Sequence, residues 1–151
     1  MDLFQKALPW MRQTKTFINI SNREMTQEEK DLLLKDLCAR LPYGVKMNHI
    51  ADDEHSPKTL IGVAKDMITL EGLGGYECVD TEDYKPYLFP LSSMTKEQKK
   101  EYAHILVMSS NLACSQLIGE TTQDWFNKNH FDYRGLIPMG LAIDATDKNI
   151  Y

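Results

Sequence analysis

The stretch SSMTKEQKKEY, from Ser92 to Tyr102, divides the chain into two halves with different sequence patterns. Within it, Thr95 and Gln98 have the spacing of a capping box, in which two side chains bond each other's backbone N–H groups where a helix begins. Tyr102 and Ile105 then lie on the apolar face of the predicted helix. The stretch therefore predicts a boundary, with a sheet and an extended proline connector before it and helices after it.

The same stretch contains a possible catalytic motif. Ser93 and Lys96 have the Ser-x-x-Lys spacing of the nucleophile and its assisting lysine in penicillin-binding enzymes. The Lys-Thr-Gly and Ser-Asp-Asn motifs that accompany it in those enzymes are absent from the sequence. Short motifs built from common residues arise easily by chance. We therefore interpret Ser93 as a residue that precedes a helix cap, and we predict a protein that is not an enzyme.

Another capping box, formed by Thr26 and Glu29, predicts that a helix begins near residue 26. Pro42 is expected to end this helix, because the residue before a proline avoids the helical conformation. The apolar face of the helix is predicted to consist of Leu33, Leu37 and Leu41.

The last part of the chain predicts a third helix that begins at Thr121 or Thr122. Trp125 and Phe126 are expected to face the interior from this helix. Segment 112–118 fits either a strand or a continued helix, because periodicity does not distinguish the two over so short a run.

Four short segments between residues 43 and 80 have the alternating or β-branched pattern of strands: 45–49, 59–63, 67–70 and 76–79. The segment 85–91 contains two prolines and is interpreted as a connector that crosses the core. The predicted fold class is α+β, with a small antiparallel sheet of about three to five short strands packed against about three helices. The predicted domains are an N-terminal arm, residues 1–24, and a single α+β domain, residues 25–151.

Composition restricts the possible functions. The chain has 151 residues and a net charge of −5, and 42% of its residues are apolar. A chain of this length buries enough surface to fold as one domain without a metal or a disulfide. No apolar run approaches the roughly 18 residues of a membrane span. The sequence predicts a cytoplasmic protein without a membrane segment and without a dominant polyanion-binding role.

No complete cofactor or metal motif is present. The segment His49–His55 contains two imidazoles and three carboxylates, but its spacing is not helical, and we interpret it as a solvated loop. The glycines of 72–75 are not followed by the Lys-Ser/Thr of a phosphate-binding loop. Three widely spaced cysteines without a C-x-x-C pair are typical of free thiols. We expect no metal and no cofactor.

Three long segments together resemble an uncharacterised family of small proteins encoded in gut Bacteroidetes and their phages: DLCARLPYGVK, KPYLFPLSSMTKEQKKEY and DWFNKNHFDYRGLIPMGLAIDA. The resemblance covers roughly residues 25 to 145. No activity, fold or site residue is established for that family, so none is carried over. The resemblance implies an accessory protein of a phage or mobile element that acts on a host factor, for example against host defence.

Two groups of residues are candidates for contact with a partner. Aromatic residues and arginine are enriched at protein interfaces, and an acidic run favours docking of a basic partner. Each group also has a structural interpretation, as core residues in the first case and as a solvated face in the second. The candidates are Tyr87, Phe89, Tyr133 and Arg134, together with the acidic residues Glu77, Asp80, Glu82 and Asp83.

The leading functional hypothesis is a non-enzymatic protein-interaction module whose partner is a host or phage protein. The first alternative is a nucleic-acid-associated domain that uses the basic residues of the arm as phosphate contacts, with affinity that falls steeply with salt. The second alternative is a hydrolase centred on Ser93 or Cys114.

Overall fold

The computed structural model describes residues 24–52, 56–111 and 121–151. The predicted arm, residues 1–24, lies outside this range except for Glu24, and segment 112–118 lies outside it entirely. The helices are α1 (Gln27–Arg40), α2 (Lys96–Ser110) and α3 (Thr122–Lys128). The strands are β1 (Lys46–His49), β2 (Lys58–Val63), β3 (Met67–Gly72), β4 (Gly75–Asp80), β5 (Tyr84–Pro90), β6 (Phe131–Asp132) and β7 (Ile143–Asp144). Short 3-10 turns occupy Leu41–Tyr43, Thr81–Asp83 and Leu91–Ser93.

Both predicted capping boxes are confirmed. The Glu29 N–H donates to Thr26 Oγ1 at 3.2 Å, and the Thr26 N–H donates to Glu29 Oε2 at 2.9 Å. The same reciprocal pair joins Thr95 and Gln98 at the start of α2. Helix α3 begins with a third box, in which Asp124 takes the position of the usual Glu or Gln. Each box satisfies two backbone N–H groups that a helix start leaves without partners.

Helix α1 ends at Arg40 as expected, but the reason that the sequence suggested is wrong. Leu41, which precedes Pro42, has helical dihedral angles, and the chain continues into a 3-10 turn. Proline is tolerated there because the first positions of a helical turn need no N–H donor. Gly44 then reverses the chain with φ +64°, a conformation that favours glycine.

The described strands form one mixed sheet in the order β4-β3-β2-β1-β5-β6, with β7 also paired to β5. The pairings from β4 to β5 are antiparallel, whereas β6 and β7 pair with β5 in parallel. The α+β class is confirmed. The prediction of three to five strands is an undercount, because the described part of the sheet has seven. The prediction of an antiparallel sheet is incomplete, because β6 and β7 pair in parallel. The two strands after α3 have two residues each, which is too short to show a pattern in sequence.

The supposed connector 85–91 is most of β5, the strand to which β1, β6 and β7 all pair. Pro86 costs β5 no hydrogen bond to β1. The Ile50 N–H donates to Asp83 O at 2.8 Å, and hydrogen-bonded pairs alternate along an antiparallel ladder. The opposed pair Met47 and Pro86 is therefore a non-hydrogen-bonded pair, in which proline's missing N–H breaks no bond to β1.

Tyr151 inserts its hydroxyl group between β1 and β5, one position beyond the pair of Met47 and Pro86. The Lys46 N–H donates to the Tyr151 hydroxyl at 2.9 Å, and that hydroxyl donates to Tyr87 O at 2.8 Å. The ring of Tyr151 stacks on the ring of His130, with centroids 3.7 Å apart. Burial raises the pKa of the Tyr151 hydroxyl above its usual range, which keeps it protonated as a donor. The side chain thus replaces a direct backbone hydrogen bond.

The apolar residues form two clusters. The larger one lies between α1 and the sheet and includes Leu33, Leu37, Leu60 and Leu70. The smaller one joins α2, α3 and β6 through Ile105, Trp125 and Phe131, with Phe126 packed against it. The expectation that Trp125 and Phe126 face inward is confirmed: Trp125 is buried and Phe126 is half-buried.

Candidate functional site

The predicted aromatic contacts from β5 are directed into the protein. Tyr87 is 0% exposed, so the prediction that it contacts a partner is corrected: this position of β5 faces the core. Phe89 is half-buried, and its ring lies 6.3 Å from that of Phe131 and 5.8 Å from that of Tyr151. Both side chains therefore serve the packing of β5.

Tyr133 and Arg134 belong to a network that we call the buried ion cluster, formed by Asp36, Arg40, Tyr133 and Arg134. Asp36 and Arg40 are completely buried. Asp36 accepts hydrogen bonds from Arg40 Nε at 2.7 Å and from Arg134 Nε at 3.2 Å. Both guanidinium groups also lie near the ring of Tyr133, at 5.4 and 4.8 Å from its centroid. The cluster attaches the end of α1 to the chain after β6.

The buried ion cluster has more positive than negative charge, because two guanidinium groups share one carboxylate. Arg40 Nη2 donates to Phe131 O at 2.6 Å, whereas Arg40 Nη1 is buried without a hydrogen-bond partner in the described part of the chain. His130, the residue before Phe131, is also affected. Burial, followed by the charges of Arg40 and Lys46, lowers the pKa of His130 to about 4. The imidazole is therefore neutral at neutral pH.

The acidic candidates have a different setting. Asp80, Glu82 and Asp83 are exposed, at the end of β4 and in the 3-10 turn that follows. Glu77 is half-buried, and its carboxylate pairs with the ammonium group of Lys58 on β2. This hydrogen bond raises the pKa of Lys58 above its usual value. Glu77 is thus used within the sheet, and the other three acids remain at the surface.

These three acids border an open cavity of about 430 Å³, which we call the acidic groove. It lies where the start of α1 faces the turn between β2 and β3 and the connection between β4 and β5. Four carboxylates and two ammonium groups line it, which gives a net charge of −2. The lining residues are Met25, Lys30, Leu33, Lys65, Asp66, Asp80, Thr81, Glu82 and Asp83.

Sheet pairing positions the acids of the groove. Met67 is the partner of Asp80 in the β3–β4 register, and the Thr81 N–H donates to Asp66 O at 3.1 Å. These contacts bring Asp66 next to the run that begins at Asp80, although the two are 14 positions apart in the sequence. Glu82 then reaches α1, where its carboxylate is 2.5 Å from Lys30 Nζ. Hydrogen bonding to Glu82 raises the pKa of Lys30.

Thr81 provides an observation that is independent of charge. The residue is 9% exposed and lines the acidic groove, and its hydroxyl is buried without a hydrogen-bond partner in the described residues. Leaving a buried polar group without a partner costs about 1–3 kcal/mol. A ligand whose polar group reaches this hydroxyl from the groove would remove that cost. Met25 and Leu33 add an apolar surface to the same cavity.

Where the structure describes residues of the hydrolase and metal hypotheses, they make local hydrogen bonds. The Ser93 hydroxyl donates to Pro90 O at 2.7 Å in a 3-10 turn, and Cys114 lies outside the described residues. His49 Nδ1 accepts from the Ala51 N–H at 3.0 Å, while residues 53–55 also lie outside the described range. Within that range, no group of three or more His, Cys, Asp or Glu side chains has a metal-binding arrangement.

Sequence reasoning missed several residues of the groove. Met25, Lys30, Lys65, Asp66 and Thr81 line it, yet none of them belongs to a motif. A single signal was present, because the acidic run was identified as a possible docking surface. Its neighbours come from separate segments, and only the folded chain brings them together.

Comparison with known proteins assigns no family to this chain. No family model, no curated protein and no solved structure matches it. In the part of the chain that the structure describes, no helix has both the length and the apolar character to cross a membrane. Function is therefore inferred from the geometry of the site.

Proposed function

We propose that this protein is a non-enzymatic interaction module that binds a basic segment of a partner protein in the acidic groove. The observation that carries the proposal is the combination of four groove carboxylates with the unpartnered, buried hydroxyl of Thr81. Carboxylates form strong charge-assisted hydrogen bonds with guanidinium and ammonium groups. The half-buried Met25 offers apolar surface for the aliphatic stem of a lysine or arginine.

The sign of the groove favours a basic polypeptide over a nucleic acid. Phosphate contacts require clustered Lys and Arg side chains, whereas here the carboxylates outnumber the ammonium groups four to two. The resemblance to small proteins of gut Bacteroidetes and their phages would make the partner a host or phage protein, and the cytoplasm the compartment in which the two meet. Partner binding, rather than chemistry on a substrate, would then be the means by which such an accessory protein acts.

The proposal is tested with a fluorescein-labelled peptide of sequence Gly-Arg-Gly-Arg-Gly and fluorescence polarisation. We expect saturable binding at 50 mM NaCl that weakens at 300 mM NaCl, because salt screens exposed charges. The double substitution Asp80→Asn and Asp83→Asn should weaken binding by roughly fivefold, since each exposed ion pair contributes little by itself.

The matched control removes the same charge away from the groove. Glu28→Gln with Glu97→Gln changes the first turns of α1 and α2, where both side chains are exposed and neither lines the groove. We expect this control to bind the peptide nearly as the unmodified protein does. Equal losses in the two double variants would show that only net charge matters, and would refute a defined site.

A further inference from the structure

A second cavity, of about 280 Å³, adjoins the acidic groove, and we call it the apolar compartment. Three residues, Met25, Leu33 and Glu82, line both cavities, so the two lie side by side. The lining residues of the apolar compartment are Met25, Glu29, Leu33, Ile50, Glu82, Tyr84, Lys85, Met139, Gly140 and Leu141.

Large apolar side chains remain exposed at this compartment. Ile50 is 36% exposed and Met139 is 42% exposed, while Leu33 and Leu141 form a buried floor. Apolar side chains that line a concave surface are typical of binding sites. Methionine is suited to this role because its flexible thioether adapts to the shape of a ligand.

The loop that presents Met139 is held in place before any partner arrives. Asp132 accepts hydrogen bonds from the N–H groups of Leu136 and Ile137 at 2.8 and 2.9 Å. Gly140 adopts φ +76° and donates its N–H to Ile137 O at 3.0 Å, which closes a turn around Met139. A preorganised loop loses little conformational entropy when a ligand binds.

Glu82 lines both cavities, so its carboxylate is available to a ligand in either of them. Its ion pair with Lys30 is exposed on both sides, with side-chain exposures of 50% and 38%. Exposed ion pairs contribute little because water competes for each partner. A cation of a ligand can therefore replace Lys30 at Glu82, at the junction of the acidic groove and the apolar compartment.

From these observations we infer that the partner segment is bipartite, with a basic side chain that pairs with Glu82 and a neighbouring large apolar side chain that fills the apolar compartment. This inference rests on the proposed function and specifies its ligand. The compartment, at about 280 Å³, has room for one large apolar side chain of a longer segment.

Charge selects a different protein, rather than a second copy of this chain, as the occupant. The two cavities together contain five carboxylates and three ammonium groups, which again gives a net charge of −2. The whole chain has a net charge of −5. Pairing two copies at this surface would oppose like charges, which is unfavourable. A segment with positive charge and an apolar anchor is complementary to both parts.

The test compares labelled Gly-Arg-Gly-Arg-Gly with four longer peptides that place one leucine one, two, three or four residues after the second arginine. Fluorescence polarisation with the full chain should show about a tenfold gain in affinity at one or two of these spacings, because burying most of a leucine side chain stabilises the complex accordingly. The substitutions Ile50→Ser and Met139→Ser should remove the gain and leave the affinity for Gly-Arg-Gly-Arg-Gly unchanged.

The control replaces two exposed apolar residues elsewhere, Leu73→Ser and Val107→Ser, and should preserve the leucine gain. The inference is overturned if no spacing raises the affinity, or if the gain survives Ile50→Ser with Met139→Ser. In both cases the proposed function stands as long as Gly-Arg-Gly-Arg-Gly binds and the Asp80→Asn, Asp83→Asn variant weakens it. Absence of binding by every peptide refutes both proposals. A dimer in sedimentation velocity that Met139→Ser dissociates would identify a second copy as the occupant and overturn the inference.

Discussion

Helix α1 contributes to two charged clusters that differ in almost every physical respect. Near its end, Asp36 and Arg40 are completely buried in the buried ion cluster, and their groups form short hydrogen bonds. Near its beginning, Lys30 forms an exposed ion pair with Glu82 in the acidic groove. Burial makes the first cluster costly to disturb, whereas solvent makes the second easy to exchange. The same side-chain chemistry therefore supports the fold at one end and is available to a partner at the other.

The largest expected effect is on stability and comes from Asp36→Asn. This change removes the carboxylate that pairs with Arg40 and Arg134, and breaking a buried ion pair costs about 3–5 kcal/mol. The free energy of unfolding, measured with urea, should fall by that amount. Asp31→Asn is the control, because Asp31 is an exposed acid of the same helix. A loss below about 1 kcal/mol for Asp36→Asn would place the buried ion cluster in the same energetic class as the groove.

A smaller effect is expected from pH, through His130. Its pKa in the folded protein is about 4, below the roughly 6.5 of an unfolded chain. Between these values the unfolded state binds more protons than the folded state, so His130 makes stability fall as the pH drops from about 6.5 towards about 4. Above pH 6.5 the imidazole is neutral in both states and has no such effect.

The contribution of His130 is isolated by substitution. His130→Asn keeps a residue that tolerates the observed φ of +60°. The free energy of unfolding of this variant should decline less steeply between pH 6.5 and 4 than that of the unmodified protein. His104→Asn, at an exposed position of α2, is expected to keep the original slope. Identical slopes in all three proteins would mean that burial and the nearby charge of Arg40 do not lower the pKa of His130.

The smallest effect is expected at the exposed cluster and concerns binding. Lys30→Gln removes the internal cation that competes for Glu82, so affinity for Gly-Arg-Gly-Arg-Gly should rise about threefold. Lys35→Gln removes the same charge from an exposed position of α1 that does not line the groove, and it should change the affinity less. Fluorescence polarisation measures both. A weaker complex with Lys30→Gln would show that Lys30 supports the ligand rather than competes with it.

The predictable part of the fold was the part that depends on neighbouring residues. Thr26 with Glu29 and Thr95 with Gln98 identified two helix starts, because a capping box needs only residues three positions apart. An alternating or β-branched pattern identified β1 to β4 for a similar reason, since it too depends only on neighbouring residues. The role of β5 was missed because two prolines are usual in connectors. Pro86 is tolerated here because it lies in a non-hydrogen-bonded pair with β1.

The candidate site was less predictable. Tyr87 and Glu82 were proposed together as contact residues, but Tyr87 is buried and Glu82 is exposed. An aromatic residue of a core strand and one of an interface have the same local sequence pattern, because both are apolar and extended. The acidic run could be recognised in the sequence from its charge. The sequence did not show that the start of α1 and Asp66 lie beside this run and line the same groove.

By itself, the sequence determined the helix starts, the first four strands, the α+β class and the presence of an acidic surface. Local hydrogen bonds and side-chain alternation determine these features within a few residues. Only the tertiary structure decided that Arg134 belongs to a buried ion cluster and that Asp80 and Glu82 border a groove beside an apolar compartment. These features combine side chains from distant segments, such as Asp36 and Arg134, 98 positions apart. Strand register and helix packing determine which distant side chains meet, and neither is encoded in any single stretch.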